Sequence, residues 1–309
     1  MNDKNIYDIV VIGGGAAGMT AALYSLRSGK TVLLIERETI GGQISKSPRV
    51  ENFPSIKEIS GTEFSDKMFD QIMDLGCEFE LDTVVSVNKE NNLFCINGEY
   101  NNYQAKAVII ATGLEHRKIN VEPEDELIGK GVSYCAVCDG AFYKDEEVCL
   151  IGDANTALQY SLLLSNYCKK VYVCTLFDKF FADDILVSRL RKRENVEIYH
   201  NLLLKEFKYS DELEGLVFEN TQDLTKKEFT VKACFIAIGQ IPNNDIFSNL
   251  VELDKNGYIL VDNDLQTKTE GLFVAGDCRQ KKVRQLTTAV SDGAMASVGA
   301  VSYIDKNFE

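Results

Sequence analysis

Asp8-Ile-Val-Val-Ile-Gly13-Gly-Gly15-Ala-Ala-Gly18 decides the fold. An apolar run long enough for a buried strand enters a Gly-x-Gly-x-x-Gly turn and continues into a helical pattern. Apolar spacing near 3.6 over 16–28 and a second apolar run over 31–36 complete a βαβ unit, whose parallel strands need cover on both faces. Gly13 permits the tight turn, Gly15 lets backbone approach a pyrophosphate, and Gly18 brings helix close to strand. The helix N-terminus faces the phosphate charge. Glu36 ends the second strand, where a carboxylate accepts hydrogen bonds from ribose hydroxyls. The turn alone is a weak signal, but with its flanking strands and acidic residue it implies a dinucleotide site.

The motif recurs 139 residues later as Glu147-Val-Cys-Leu-Ile-Gly152-Asp-Ala154-Asn-Thr-Ala157, in altered form. Gly152 survives and Ala157 is an acceptable packing residue. Ala154, however, puts a methyl where backbone should meet a pyrophosphate, and Asp153 adds negative charge. Two unit charges about 4 Å apart repel by about 4 kcal/mol at an effective dielectric near 20. The position matching Glu36 is Thr175, followed by Leu176, Phe177 and Asp178, with none of the arginines that a 2′-phosphate requires. The second site is read as lost; a divergent but working NADPH site is the alternative.

The 309 residues suffice for two domains, and 45% hydrophobic content is normal for globular cores. The chain enters a strand by Ile6 without a basic-then-apolar leader, and no stretch reaches the roughly 18 apolar residues of a membrane span, so a cytoplasmic protein is expected. A net charge of −14 argues against a general nucleic-acid binder. A helix is predicted over 62–75, an antiparallel meander over 78–99 and a buried strand over 107–113. The second βαβ unit covers 147–175, followed by a helix over 183–193 and strands over 196–200 and 235–239. Strands over 258–261 and 272–276 and a long helix over 286–304 finish the chain. This tail is expected to complete the first domain, so the fold class is α/β with two Rossmann-like three-layer ββα domains, the second inserted in the first. The boundaries are 1–116 with 245–309, and 117–244, with hinges near 114–120 and 240–246.

Cys135-Ala-Val-Cys138-Asp139-Gly140 lies between the two turns. Nine cysteines, an odd number without regular spacing, read as mostly reduced thiols, among which a CxxC pair is more often catalytic than structural. A structural zinc site wants four ligands, and the chain offers no second CxxC and only His116 and His200, so no metal is expected. Asp139 is placed to give or take the proton that thiol chemistry requires.

Glycine turn, Ala111-Thr112-Gly113, Cys135-x-x-Cys138-Asp139, second βαβ unit and Gly276-Asp277 together resemble the low-molecular-weight thioredoxin reductases over nearly the whole chain. Gly41-Gly42-Gln43, Val50-Glu51-Asn52-Phe53-Pro54, Arg284-Gln285 and Thr288-Ala289 resemble that family's flavin-contacting stretches. The resemblance implies FAD in the first domain. Gly13, Gly15, Gly18 and Glu36 would serve its ADP half, and Gln43, Asn52, Asp277 and Gln285 would reach ribitol and isoalloxazine. Ala16, Ala17, Arg37, Gly42, Thr112, Gly113, Gly276, Arg284 and Leu286 are further cofactor-binding candidates. It further implies that Cys138 faces the flavin, that Cys135 attacks the disulfide of thioredoxin, and that the protein is a homodimer. The altered second turn departs from that family's Gly-rich turn and His-Arg-Arg stretch. It is closer to the ferredoxin-dependent flavin thioredoxin reductases, which lack those NADPH residues, so ferredoxin is the expected electron donor. A flavin-binding redox sensor without turnover is a further alternative. Two basic clusters are candidates for docking ferredoxin: Arg189, Arg191, Lys192 and Arg193, and the preferred Arg279, Lys281, Lys282 and Arg284.

Overall fold

Strand β1 (Ile6–Ile12) is buried from Ile9 onward because helices and strands cover both of its faces. In the computed structural model, which describes residues 6–47 and 50–308, β1 lies parallel to β2 (Val32–Glu36), with α1 (Ala16–Arg27) as the crossover. After α2 (Gly61–Met73) come β3 (Glu78–Leu81), β4 (Val84–Glu90), β5 (Leu93–Gly98) and β6 (Asn102–Ile110). The sheet order is β3-β2-β1-β6-β5-β4. The first half of β6 pairs with β5, and its second half pairs in parallel with the strand Leu272–Val274. The helix Leu286–Phe308 packs on α1 so closely that Ser25 Oγ and Ser297 Oγ are 2.8 Å apart and a Cβ on Gly293 would lie 2.2 Å from Ala17 O. The small residues of this helix therefore permit the contact that brings the tail back to the first half.

Two expectations need correction. Residues 78–81 do not open the meander; β3 pairs in parallel with β2, and the antiparallel part begins at Val84. Residues 258–261 form no strand. Asp254 Oδ1 accepts the Asn256 and Tyr258 N–H groups in a tight turn, after which Ile259 makes only single bridges, to Leu253 and to Arg279.

The chain divides into two compact units, one reaching to Glu115 and resuming at Ile241, the other His116–Gln240. Residues 241–244, assigned above to the second domain, lie with the first: buried Asn244 donates through Nδ2 to Gly257 O and Cys278 O, at 2.8 and 2.9 Å. His116 lies with the second, stacked on Tyr134 at 4.6 Å.

The second unit has a five-stranded parallel sheet. From one edge its strands are Val196–Tyr199, Lys170–Cys174, Glu147–Ile151, Ala233–Ile236 and Val132–Ser133. An antiparallel sheet of Leu202–Tyr209, Leu213–Asn220 and Lys226–Thr230, absent from the sequence reading, buries Leu204, Phe207, Leu216 and Phe218 against it. The edge strand Val132–Ser133 delivers the chain directly to Cys135.

Candidate active site

In the first turn Gly13 has φ +111°, and a Cβ there would sit 2.4 Å from Ala111 O. Gly18 is more confined still, since its Cβ would lie 1.9 Å from Gly13 O. Gly15 differs from both. It caps α1 at φ −75°, ψ −180°, which any residue adopts, and a Cβ would meet nothing nearer than Gly41 O at 3.9 Å. Its glycine therefore leaves open space above the helix N-terminus, where a phosphate gains from the exposed N–H groups. Glu36 Oε2 accepts the Gly14 N–H at 2.6 Å, and Oε1 accepts the Arg37 and Glu38 N–H groups at 2.9 and 3.0 Å. Its remaining lone pairs are left for hydroxyl donors. Arg37 is drawn to Glu115, and Ala16 and Ala17 are buried in the first turn of α1.

The other candidate residues gather in the same unit. Gly41 N–H donates to Gly14 O at 2.8 Å, placing Gly42 against the turn. Gln43 Nε2 donates to Leu114 O at 3.0 Å, just past Thr112 and Gly113, and Asn52 Nδ2 donates to Gln285 Oε1 at 3.4 Å. Gly276 has φ +84° and donates to Asp292 Oδ2 at 3.1 Å. Leu286 packs on the small cluster of Val50, Ile59 and Phe64. The Arg284 guanidinium lies 4.3 Å from the Tyr258 ring centroid. Asp277 Oδ1 and Arg284 Nε are buried without a hydrogen-bond partner. Buried polar atoms of both signs that lack hydrogen bonds, in the unit that carries the open helix N-terminus, fit a polar, phosphate-bearing cofactor.

The second turn repeats this frame. Gly152 has φ +152°, and its N–H donates to Cys174 O at 3.1 Å, as Gly13 N–H does to Ile35 O at 2.8 Å. Ala154 caps its helix at φ −102°, ψ −179°, the conformation of Gly15 with a methyl added. Phe181 N–H donates to Asp153 O at 2.8 Å, so a phenylalanine crosses this turn where Gly41 crosses the first. Its half-exposed ring packs edge-on against Phe177 at 5.4 Å. Thr175 turns its hydroxyl to Phe177 O and to His200 Nδ1, both at 2.7 Å. Burial pushes the Asp153 carboxyl up.

Cys135 and Cys138 form a disulfide with Cα atoms 5.3 Å apart. Cys135 caps the single helical turn Ala136–Asp139, its Sγ accepting the Cys138 N–H at 3.2 Å. Ser133, which the sequence reading missed, organises the loop: its Oγ accepts the Cys135 N–H at 3.0 Å and donates to Asp139 Oδ2 at 2.6 Å. Burial pushes the Asp139 carboxyl up, against the Ser133 hydrogen bond, and its Oδ1 is buried without a partner. Such a group holds its proton to higher pH than a solvated carboxylate.

The preferred docking cluster is not a surface patch. Arg279 and Lys281 fold inward onto buried Asp292, and only 6% of the Lys281 side chain is exposed. Asp292 escaped the sequence reading, although a lone charge in a stretch of small residues is a signal that something internal balances it.

The family model described as pyridine nucleotide-disulphide oxidoreductase matches residues 7–293, and the chain belongs to that family. Within it the chain is a member of the thioredoxin reductases. It is 36% identical over 313 residues to the thioredoxin reductase of Peptoclostridium acidaminophilum, covering 99% of each chain. The Streptococcus pyogenes thioredoxin reductase structure matches with a TM-score of 0.94 at 35% identity, over 98% of this chain and 100% of that one. The ferredoxin-flavin thioredoxin reductase of Clostridium acetobutylicum matches with a TM-score of 0.54 at 29% identity, over 98% of both chains. The protein is a disulfide oxidoreductase with FAD as its cofactor. Among the described residues, no helix is long and apolar enough to cross a membrane.

Proposed function

We propose that this chain reduces thioredoxin, drawing its electrons through FAD from reduced ferredoxin. The observation that carries the donor assignment is the second turn, where the frame of a dinucleotide site persists with Ala154, Asp153, Phe177 and Phe181 in place of phosphate-binding chemistry. A ferredoxin near −400 mV reducing a thioredoxin near −270 mV releases about 6 kcal/mol for two electrons. The NADPH-dependent reading has its own support: the chain is more similar to proteins called simply thioredoxin reductase than to the ferredoxin-flavin enzyme.

In this reading the α1 N-terminus with Gly13, Gly15 and Gly18 holds the pyrophosphate, and Glu36 the ribose. Gln43, Asn52, Asp277 and Gln285 orient the rest. FAD, when bound, supplies the electron pair that opens the Cys135–Cys138 disulfide. Cys138 would face the flavin and Cys135 would leave as thiolate when the S–S bond breaks; Asp139, which its burial suits to carry a proton, gives one to that thiolate and takes it back when Cys135 attacks. Cys135 then attacks the thioredoxin disulfide, and Cys138 resolves the mixed disulfide, so two thiols are oxidised as one external disulfide is reduced.

Anaerobic titration with NADPH, NADH and reduced ferredoxin, read by flavin absorbance, tests the donor. Bleaching by ferredoxin alone is expected, and rapid bleaching by NADPH would overturn the ferredoxin reading in favour of the second. Multiple-turnover thioredoxin reduction, abolished by Cys138→Ser, separates either from a redox sensor.

A further inference from the structure

Lys281 sits between two carboxylates, its Nζ 3.0 Å from Asp292 Oδ2 and 3.3 Å from Asp277 Oδ1. The two acids are in opposite states. Asp292 is saturated: Oδ2 accepts the Gly276 N–H, Arg279 Nε at 2.8 Å and Lys281, while Oδ1 accepts Arg279 Nη2 at 2.7 Å. Burial would raise its carboxyl, but Arg279 and Lys281 outweigh that and hold it below the usual range. Asp277 is under-supplied. Burial pushes its carboxyl up against the pull of Lys281 and Arg284, and its buried Oδ1 has the ion pair but no hydrogen bond.

Charge counting assigns the lysine. Arg279, with Nε and Nη2 on Asp292, neutralises that acid, which leaves Lys281 as the counter-charge to Asp277. Lysine ordinarily extends its ammonium into water. Here it gives up hydration and rotamer freedom to lie inside, while its neighbour Lys282 is exposed. An internal ammonium is stable only when paired with acids placed to receive it, and one of these is the Asp277 of the cofactor site.

We propose that Lys281 is a positioning residue for the flavin. It holds the Asp277 carboxyl in place within the cofactor site through the ion pair, and its charge favours the reduced flavin, which carries more negative charge than the oxidised form. The proposal rests on FAD being the cofactor and is independent of which donor reduces it.

Lys281→Met, Lys281→Arg and Lys282→Met would be compared by FAD affinity of the apoprotein, flavin midpoint potential and apoprotein thermal midpoint. Lys281→Met is expected to weaken FAD about tenfold and to shift the two-electron equilibrium about tenfold towards oxidised flavin, about 30 mV more negative. Lys281→Arg should stay close to the wild type in both, and Lys282→Met should match it. If the methionine variant fails to fold, Lys281→Gln keeps a donor to Asp292 without the charge and should show the same shift. An unchanged potential in Lys281→Met or Lys281→Gln overturns the proposal, as does an equal shift in Lys281→Arg. Wild-type apoprotein that takes up no FAD would instead overturn the cofactor assignment.

Discussion

At Gly13 and again at Gly152 a strand ends, the backbone turns through a left-handed glycine, and an extended residue caps a helix. At each, a later segment crosses the turn and donates an N–H to it at 2.8 Å. Everything the backbone contributes is common to both. The differences that bear on a ligand lie at five positions: Gly14 against Asp153, Gly15 against Ala154, Gly18 against Ala157, Glu36 against Thr175 and Gly41 against Phe181. The strand–turn–helix frame is thus held by sheet pairing and core packing, as in the cluster of Val148, Leu150, Ala157 and Leu158, and not by ligand chemistry. A turn of this kind can keep its fold while the side chains around it change, because the frame is stabilised by other atoms.

The largest expected break in the comparison comes from exchanging the packing residues. Gly18→Ala puts a Cβ 1.9 Å from Gly13 O, where backbone must give way, and should cost about 3 kcal/mol together with bound FAD. Ala157→Gly in the second turn should cost only about 1 kcal/mol, the ordinary penalty for glycine in a helix. Denaturant midpoints and flavin content of the purified variants check both. Equal costs would mean that the two turns are packed alike despite the exchange of Gly18 for Ala157.

A smaller effect is expected from Glu36→Ala. It removes a charged acceptor from three backbone N–H groups, of which the Gly14 bond at 2.6 Å shapes the turn itself. A hydrogen bond to a charged group contributes about 1.5–3 kcal/mol, so FAD affinity should fall about tenfold to a hundredfold. Thr175→Ala, at the matching place, should leave FAD affinity and donor specificity unchanged, because among the described residues the hydroxyl bonds to Phe177 and His200. Fluorescence titration of the apoproteins distinguishes the two.

The βαβ units were legible in the sequence because an apolar run, a glycine turn and a 3.6 period leave few alternatives. Position 78–81 was not. A short strand such as Glu-Phe-Glu-Leu reads the same whether it joins a parallel edge or a hairpin, and its partner β2 lies more than forty residues away. The sheet over 202–230 was passed over although Leu202, Leu204 and Phe207 carry an inside–outside alternation that a bulge after Leu204 interrupts. Site residues announced by a motif were found. Ser133 and Asp292 were not, because they act through hydrogen bonds to residues whose proximity only the folded chain creates. Lys281 was misread for the same reason: a run of Arg, Gln, Lys and Lys states charge and says nothing about which side chain turns inward.

The smallest expected effect lies at Asp153, and its sign sharpens the contrast with Gly14, its counterpart in the first turn. Burial raises the Asp153 carboxyl, so the folded state prefers its protonated form. A group raised on folding costs stability as pH rises through the ordinary carboxylate range and costs nothing below it. Asp153→Asn should therefore raise the thermal midpoint slightly at neutral pH, and the gain should vanish in acid. Because Ala154, Leu176, Phe177 and Phe181 remain, the same variant should acquire no reduction by NADPH. If it did, the aspartate alone would be keeping the nucleotide out, and the second turn would be a blocked site and not a dismantled one.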